Sequence, residues 1–170
     1  MYSPNDIKTA YKRVQKKYDF AYDLKDEQVQ ILVHLVNKHN VLGVLPTGFG
    51  KSDIFVLLPL LLDELQKDSH HCCLVVVPLI ALIDDLVERF RKRKVGIICL
   101  QDLKAGEKFS VILVTPESLE VSITRKKIES CNIARTACCV AVDEAHVLPQ
   151  WYFTLFFNRL LKINENLMFM

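Results

Sequence analysis

The sequence predicts an α/β protein in which a parallel sheet lies between two layers of helices. Three observations carry that expectation. Short apolar runs at 41–45, 72–77, 95–100, 111–114 and 137–142 alternate with segments of helical length, the pattern of strands joined by crossover helices. The run Cys72 to Val77 is apolar without interruption, as suits a strand covered on both faces. Finally, glycine, proline and carboxylate clusters follow four of the runs, and ligands in such sheets gather where the strands end.

The elements follow in order. Pro4 to Tyr18 reads as a helix, with Ser3 placed to cap it and Pro4 suited to its first turn. Its lysines, Lys8, Lys12, Lys16 and Lys17, are expected on a solvated face. Asp26 to His39 reads as a second helix, with Val29, Leu32, Val33 and Val36 at core-facing spacing. Gln28 near its start reads, on spacing alone, as a solvated helix residue. Val41 to Leu45 is the first strand, and the long apolar run Ile54 to Leu65 is the helix after it. Pro78 ends the second strand, and Ile80 to Arg93 has amphipathic helical spacing. Gln101 to Lys108 is a polar connection. Thr115, Pro116 and Glu117 close the fourth strand, a short helical segment runs to about 128, and the fifth strand leads into Asp143 and Glu144.

Composition bounds the class. The chain has 170 residues, 51% apolar and 25% charged, which is enough for one well-packed domain. The formal net charge of +2 gives no case for a nucleic acid or membrane partner by composition. No apolar stretch of about 18 residues runs free of proline or charge, so no membrane span is expected. Met1 to Phe20 is polar and lysine-rich, unlike a secretory signal. The six cysteines form no Cys-x-x-Cys pair and lie mostly in apolar runs, which argues against zinc and for a reducing, intracellular setting.

The chemistry concentrates in Leu45-Pro46-Thr47-Gly48-Phe49-Gly50-Lys51-Ser52, set between strand and helix. Gly48 and Gly50 let the backbone curl so that successive N–H groups point at phosphate oxygens. The helix N-terminus adds free donors and a favourable dipole. Lys51 can reach terminal phosphates, and the Ser52 hydroxyl can ligate Mg²⁺. Leu45 stands where the general phosphate-loop pattern has glycine. In the same sheet, Asp143 can hold Mg²⁺ opposite Ser52, and Glu144 can orient and deprotonate an attacking water. Alone, that acidic pair reads better as a polar loop; paired with the Gly-Lys-Ser loop in the same sheet, it reads as catalytic. His146 reads either as a coupling residue or as a local cap. The basic tract Arg89, Arg91, Lys92, Arg93 and Lys94 ends a helix, where the dipole favours cations, and is expected to be a solvated face.

Thr47 to Ser52, then Pro78-Leu79-Ile80-Ala81-Leu82, then Thr115-Pro116-Glu117-Ser118-Leu119, then Asp143-Glu144-Ala145-His146, in this order, resemble motifs I, Ia, Ib and II of superfamily 2 helicases. The wording around the first two, with Gln150-Trp151 after the fourth, is most similar to the RecQ family. The resemblance implies a RecA-like P-loop NTPase domain with ATP and Mg²⁺ as its cofactors. It places Thr47, Gly48, Phe49, Gly50, Lys51 and Ser52 on the nucleotide, Ser52 and Asp143 on Mg²⁺, and Lys51, Asp143 and Glu144 in catalysis. It gives Gln28 the family's adenine-reading role and puts Lys25 where the family has a base-stacking arginine. It also implies single-stranded or forked DNA as a partner, touched at Pro78, Leu79, Thr115, Pro116, Glu117, Gln150 and Trp151. A 3′–5′ polarity and work on DNA in the nucleus, in repair and recombination, come with it.

Three regions are expected: an N-terminal helical extension at 1–24, the first RecA-like domain at 25–151, and a divergent apolar tail at 152–170. The tail, beginning Tyr152-Phe153-Thr154-Leu155-Phe156-Phe157, departs from the family's charged loop. Motif III and the second RecA-like lobe, with its arginine finger, are expected to be missing. The phosphate loop and the acids near 143 are expected on adjacent strand tips. The chain alone is then expected to bind ATP and DNA weakly without unwinding, or to act as a regulatory binding fragment. A DEAD/DEAH-type RNA helicase lobe is the remaining alternative.

Overall fold

The computed structural model describes residues 1–67, 69–78, 80–144 and 167–170. Helix α1, Pro4–Tyr18, starts with a capping box in which the Ser3 hydroxyl accepts from the Asp6 N–H at 3.3 Å and the Asp6 carboxylate accepts from the Ser3 N–H at 2.7 Å. Ile7, Ala10, Tyr11 and Val14, spaced to share one helix face, are buried. Lys8 reaches Asp26 at 3.2 Å from an exposed position. Helix α2 is Asp26–Val36, strand β1 is Val41–Leu42, and helix α3 is Lys51–Leu65. Strand β2 is Cys72–Val76, helix α4 is Ile80–Arg91, strand β3 is Ile97–Cys99, and strand β4 is Val111–Val114. Helices α5 Pro116–Glu120, α6 Ser122–Ser130 and α7 Ile133–Thr136 lead to strand β5, Ala137–Val142. Strand β6 is Leu167–Phe169.

The segment after Thr115 is expected as one helical stretch but forms two helices. Val121 has extended backbone (φ −78°, ψ 132°), ends α5 and caps α6.

All strand pairs are parallel, in the order β1-β6-β5-β2-β4-β3. Alternation along β2 divides the core. Cys73 and Val75 face a cluster with α1, α2, α3 and α4. Leu74 and Val76 face a second cluster with Leu119, Ile128 and Ile133 from α5, α6 and α7. The result is the expected three-layer α/β architecture. Helix α3 is buried along most of its length, from Ile54 to Leu62, because it crosses the sheet under α1 and α2. The N-terminal extension shares that core through Ile7, Tyr11 and Val14. All six cysteines are free thiols.

The end of the chain corrects an expectation. Residues 152–170 were expected to form a tail outside the domain, yet Leu167–Phe169 inserts as β6 between β1 and β5. The Met168 side chain is fully buried, and the Gly43 N–H donates to the Phe169 carbonyl at 2.8 Å. Apolar residues near the terminus complete the sheet because a central parallel strand needs apolar side chains on both faces. Deleting residues 167–170 should therefore abolish the cooperative thermal transition followed by circular dichroism, since β1 loses its one strand partner among the described residues. An unchanged melting temperature would contradict this placement.

Candidate active site

Because every strand is parallel, the loop after β1, Pro78 after β2, Thr115 after β4 and Asp143 after β5 lie at one edge of the sheet. The phosphate loop turns sharply there. The Phe49 N–H donates to the Pro46 carbonyl at 3.2 Å, and the Asp53 N–H donates to the Gly50 carbonyl at 3.1 Å. Gly48 and Gly50 have φ of 75° and 86°, the left-handed region that glycine adopts without a side-chain penalty. Gly50 is also the N-cap of α3, and a Cβ there would come within 2.7 Å of the Gln28 Nε2. The positive φ therefore favours glycine at this position, and any Cβ there would have to displace the Gln28 amide. Lys51 and Ser52 then open α3, beside the free N–H groups of its first turn.

Gln28 is only 2% exposed, which corrects its reading as a solvated helix residue. Its Nε2 donates to the carbonyls of Phe49 at 3.2 Å and Gly50 at 3.3 Å, while its Oε1 accepts from the Lys25 N–H at 3.0 Å. The amide thus ties the start of α2 to the phosphate loop. Lys25 Nζ lies 3.8 Å from the centre of the Phe49 ring, a cation–π contact on the same loop.

Across the sheet edge, Lys51 Nζ lies 3.6 Å from Glu144 Oε1, with both side chains largely covered. Contrary to the expectation from sequence, the strand tips involved are not adjacent, because β6 lies between β1 and β5. Two strand spacings of about 10 Å are spanned by the Lys51 side chain and by Glu144, whose positive φ of 50° turns it off the strand direction. Asp143 is 5% exposed. Burial pushes its carboxyl pKa up from 3.8, and the neighbouring Glu144 charge adds to the rise. The Glu144 N–H bonded to it at 3.1 Å, then Lys51 and Arg89, pull the other way. A buried carboxylate held against its preference for water suits a hard cation such as Mg²⁺, and Ser52 lies in the first turn of α3 at the same edge of the sheet.

Of the residues expected to touch DNA, Pro78, Thr115, Pro116 and Glu117 are described. Thr115 caps α5, accepting from the Ser118 N–H at 3.3 Å with its hydroxyl 2.8 Å from the Ser118 hydroxyl. Pro116 is buried, Glu117 is exposed, and Pro78 is half-buried. A cavity of about 590 Å³ opens beside Thr115, lined partly by Ile80, Asp84, Ser118 and Lys127. Leu79, His146, Gln150 and Trp151 lie outside the described residues.

Sequence reasoning missed Arg89 as a charge felt at Asp143, and it missed Tyr22, Asp53 and Arg93. Arg93 is not on a solvated face. Its guanidinium lies 5.0 Å from the Phe20 ring centre and 5.4 Å from that of Tyr22. No short motif carries such a contact, because its members are far apart in the chain.

A parallel α/β sheet with a glycine-hinged phosphate loop facing a buried aspartate and its neighbouring glutamate is the arrangement of a phosphate-loop nucleotide-binding domain. The family model for DEAD/DEAH box helicases matches residues 25–169, and the chain belongs to that family. Among curated relatives, it is 27% identical over 157 residues to the ATP-dependent DNA helicase RecQ of Synechocystis sp., covering 85% of this chain and 30% of that protein. It is 25% identical to the probable ATP-dependent DNA helicase RecS of Bacillus subtilis, covering 75% of this chain and 26% of that one. The ATP-dependent DNA helicase Q-like 5 of Arabidopsis thaliana is 26% identical, with 78% and 15% covered. The chain thus spans less than a third of the length of these relatives. Among solved structures, the DUF1998 helicase MrfA bound to DNA and AMPPNP superposes with a TM-score of 0.67 at 14% identity, over 99% of this chain and 26% of that one. The UvsW helicase from bacteriophage T4 superposes with a TM-score of 0.58 at 17% identity, over 87% and 51%. These likenesses show the RecA-like helicase fold.

Asp143→Asn removes the buried charge and keeps an acceptor for the Glu144 N–H. A raised native pKa means the carboxylate costs stability above that pKa, and the cost vanishes as pH falls below the unfolded value of 3.8. The variant should therefore melt higher than the parent at neutral pH, with the gap closing on acidification to 3.8. A calorimetric pH series measures this, and a lower neutral melting temperature for the variant would contradict it.

Proposed function

We propose that this chain is the ATP-binding lobe of a RecQ-like DNA helicase, in which ATP hydrolysis drives 3′–5′ strand separation by a longer protein. The observation that carries the reading is the Lys51–Glu144 approach of 3.6 Å beside buried Asp143. It sets a phosphate-seeking cation and a water-activating carboxylate at one point. The DNA substrate and the polarity rest on the resemblance to RecQ sequences, and the relatives named ATP-dependent DNA helicases support them.

In this reading the loop N–H groups and the first turn of α3 receive the phosphates, with Gly50 allowing close backbone approach. Lys51 leaves Glu144 for the β- and γ-phosphates, which frees Glu144 to accept a proton from the attacking water. Ser52 and Asp143 would hold Mg²⁺, which when bound supplies charge neutralisation on the phosphates. Gln28, buried behind the loop, fixes the loop that the base approaches. Strand separation needs a second lobe moving against this one, so the chain alone binds Mg·ATP and single-stranded DNA weakly and does not unwind.

Titration with a fluorescent Mg·ATP analogue tests this. Lys51→Ala should weaken binding about ten- to a hundredfold, the worth of one charge-assisted phosphate contact. ATP turnover with and without single-stranded DNA or RNA, at stated salt, tests the nucleic acid assignment. Lys51-independent binding, stimulation by RNA alone, or unwinding of a forked duplex by this chain would each refute part of the reading.

A further inference from the structure

Asp53 follows the proposed magnesium ligand Ser52 directly and lies against the phosphate loop: a Cβ at Gly50 would meet its Oδ2 at 3.1 Å. A carboxylate there opposes any polyanion that the loop receives. Its cationic neighbour comes from 40 residues away. Arg93, just past the end of α4, puts Nη1 3.6 Å from Asp53 Oδ1, with side-chain exposures of 28% and 15%. The guanidinium is fixed by aromatic faces, 5.0 Å from Phe20, 5.4 Å from Tyr22 and 5.9 Å from Phe90. Its Nη1 also donates to the Tyr22 hydroxyl at 3.4 Å. Tyr22 is anchored in turn by α1, since its carbonyl accepts from the Tyr11 hydroxyl at 2.6 Å and from Gln15 Nε2 at 2.9 Å.

We propose that Arg93 is a positioning residue for the phosphate loop, held in a cage of Phe20, Tyr22 and Phe90 so that it neutralises Asp53 beneath the bound triphosphate. The physical reason lies in the shape of the side chain. A guanidinium stacks flat on rings while donating from its edge, so it stays oriented with little further ordering. An ammonium carries the same charge but cannot fill the cage in that way. Burial and the Asp53 charge both keep the Tyr22 hydroxyl protonated at all working pH values, so it does not add a second negative charge to the group. The segment before residue 25, which the family model leaves out, thereby takes part in holding the nucleotide site.

The inference rests on the nucleotide reading above, and the test separates the two. In the full chain, Arg93→Ala should weaken binding of a fluorescent Mg·ATP analogue about tenfold, the effect of one unmatched charge near the phosphates. Adding Asp53→Asn to it should bring affinity back to within about twofold of the parent, because the neutral side chain needs no counter-charge. Lost packing in the cage alone would not be rescued in this way. Arg93→Lys should fall between, and Asp53→Asn alone, which leaves the cage intact, should bind at least as tightly as the parent. Unchanged affinity in Arg93→Ala, no rescue in the double variant, or weakened binding in Asp53→Asn alone would overturn the proposal.

If the parent shows no Lys51-dependent binding, the nucleotide reading falls, and amide hydrogen exchange at residues 49–53 without nucleotide then decides the positioning role. Exchange faster in Arg93→Ala than in the parent, with the overall melting transition retained, upholds it. Equal exchange overturns it.

Discussion

Parallel pairing of β1, β6 and β5 holds the phosphate loop and the acidic pair at one edge of the sheet, two strand spacings apart. A backbone ladder fixes that separation far more firmly than side chains could, because β5 is buried along nearly its whole length and cannot slip register without exposing its apolar residues. Within this constraint Lys51 meets Glu144 at 3.6 Å. The strand that completes it, β6, comes from the last residues of the chain. Folding of the site is therefore a long-range event: the loop at 46–50 has no sheet partner on the acidic side until 167–169 docks.

The second organising feature is how the loop is held from behind. Gln28 gives its amide hydrogens to the Phe49 and Gly50 carbonyls, and Lys25 covers the Phe49 ring. Arg93 meets Asp53 from the other side. A glycine-bearing loop gains conformational freedom from the same residues that let it approach phosphates, so external contacts must restrict it. Here α1, α2 and the end of α4 all contribute. The site also carries unfavourable charge burial at Asp143, the kind of local conflict expected where binding a cation is the purpose.

Much of this was legible in the sequence because the signals are local. Ser3, Pro4 and Asp6 specify the start of α1 within four residues. Periodicity gives β4 and β5 with their observed bounds, and glycine with lysine and serine at fixed spacing marks the loop. Gln28 shows the limit of local signals. By spacing it belongs on a solvated face, whereas its burial depends on a loop 21 residues later folding back over it. Arg93 was read with its basic neighbours for the same reason, although three aromatic rings surround it.

The sequence by itself determined the types of β1 to β5 and of the helices between them, the parallel three-layer class and the chemistry available at the strand ends, since these follow from hydrophobic period and residue identity over short stretches. Only the tertiary structure decided the strand order, the insertion of Leu167–Phe169 between β1 and β5, and which charges meet across the site. Those depend on pairing between segments distant in the chain, where competing partners have the same periodicity and only mutual burial selects among them.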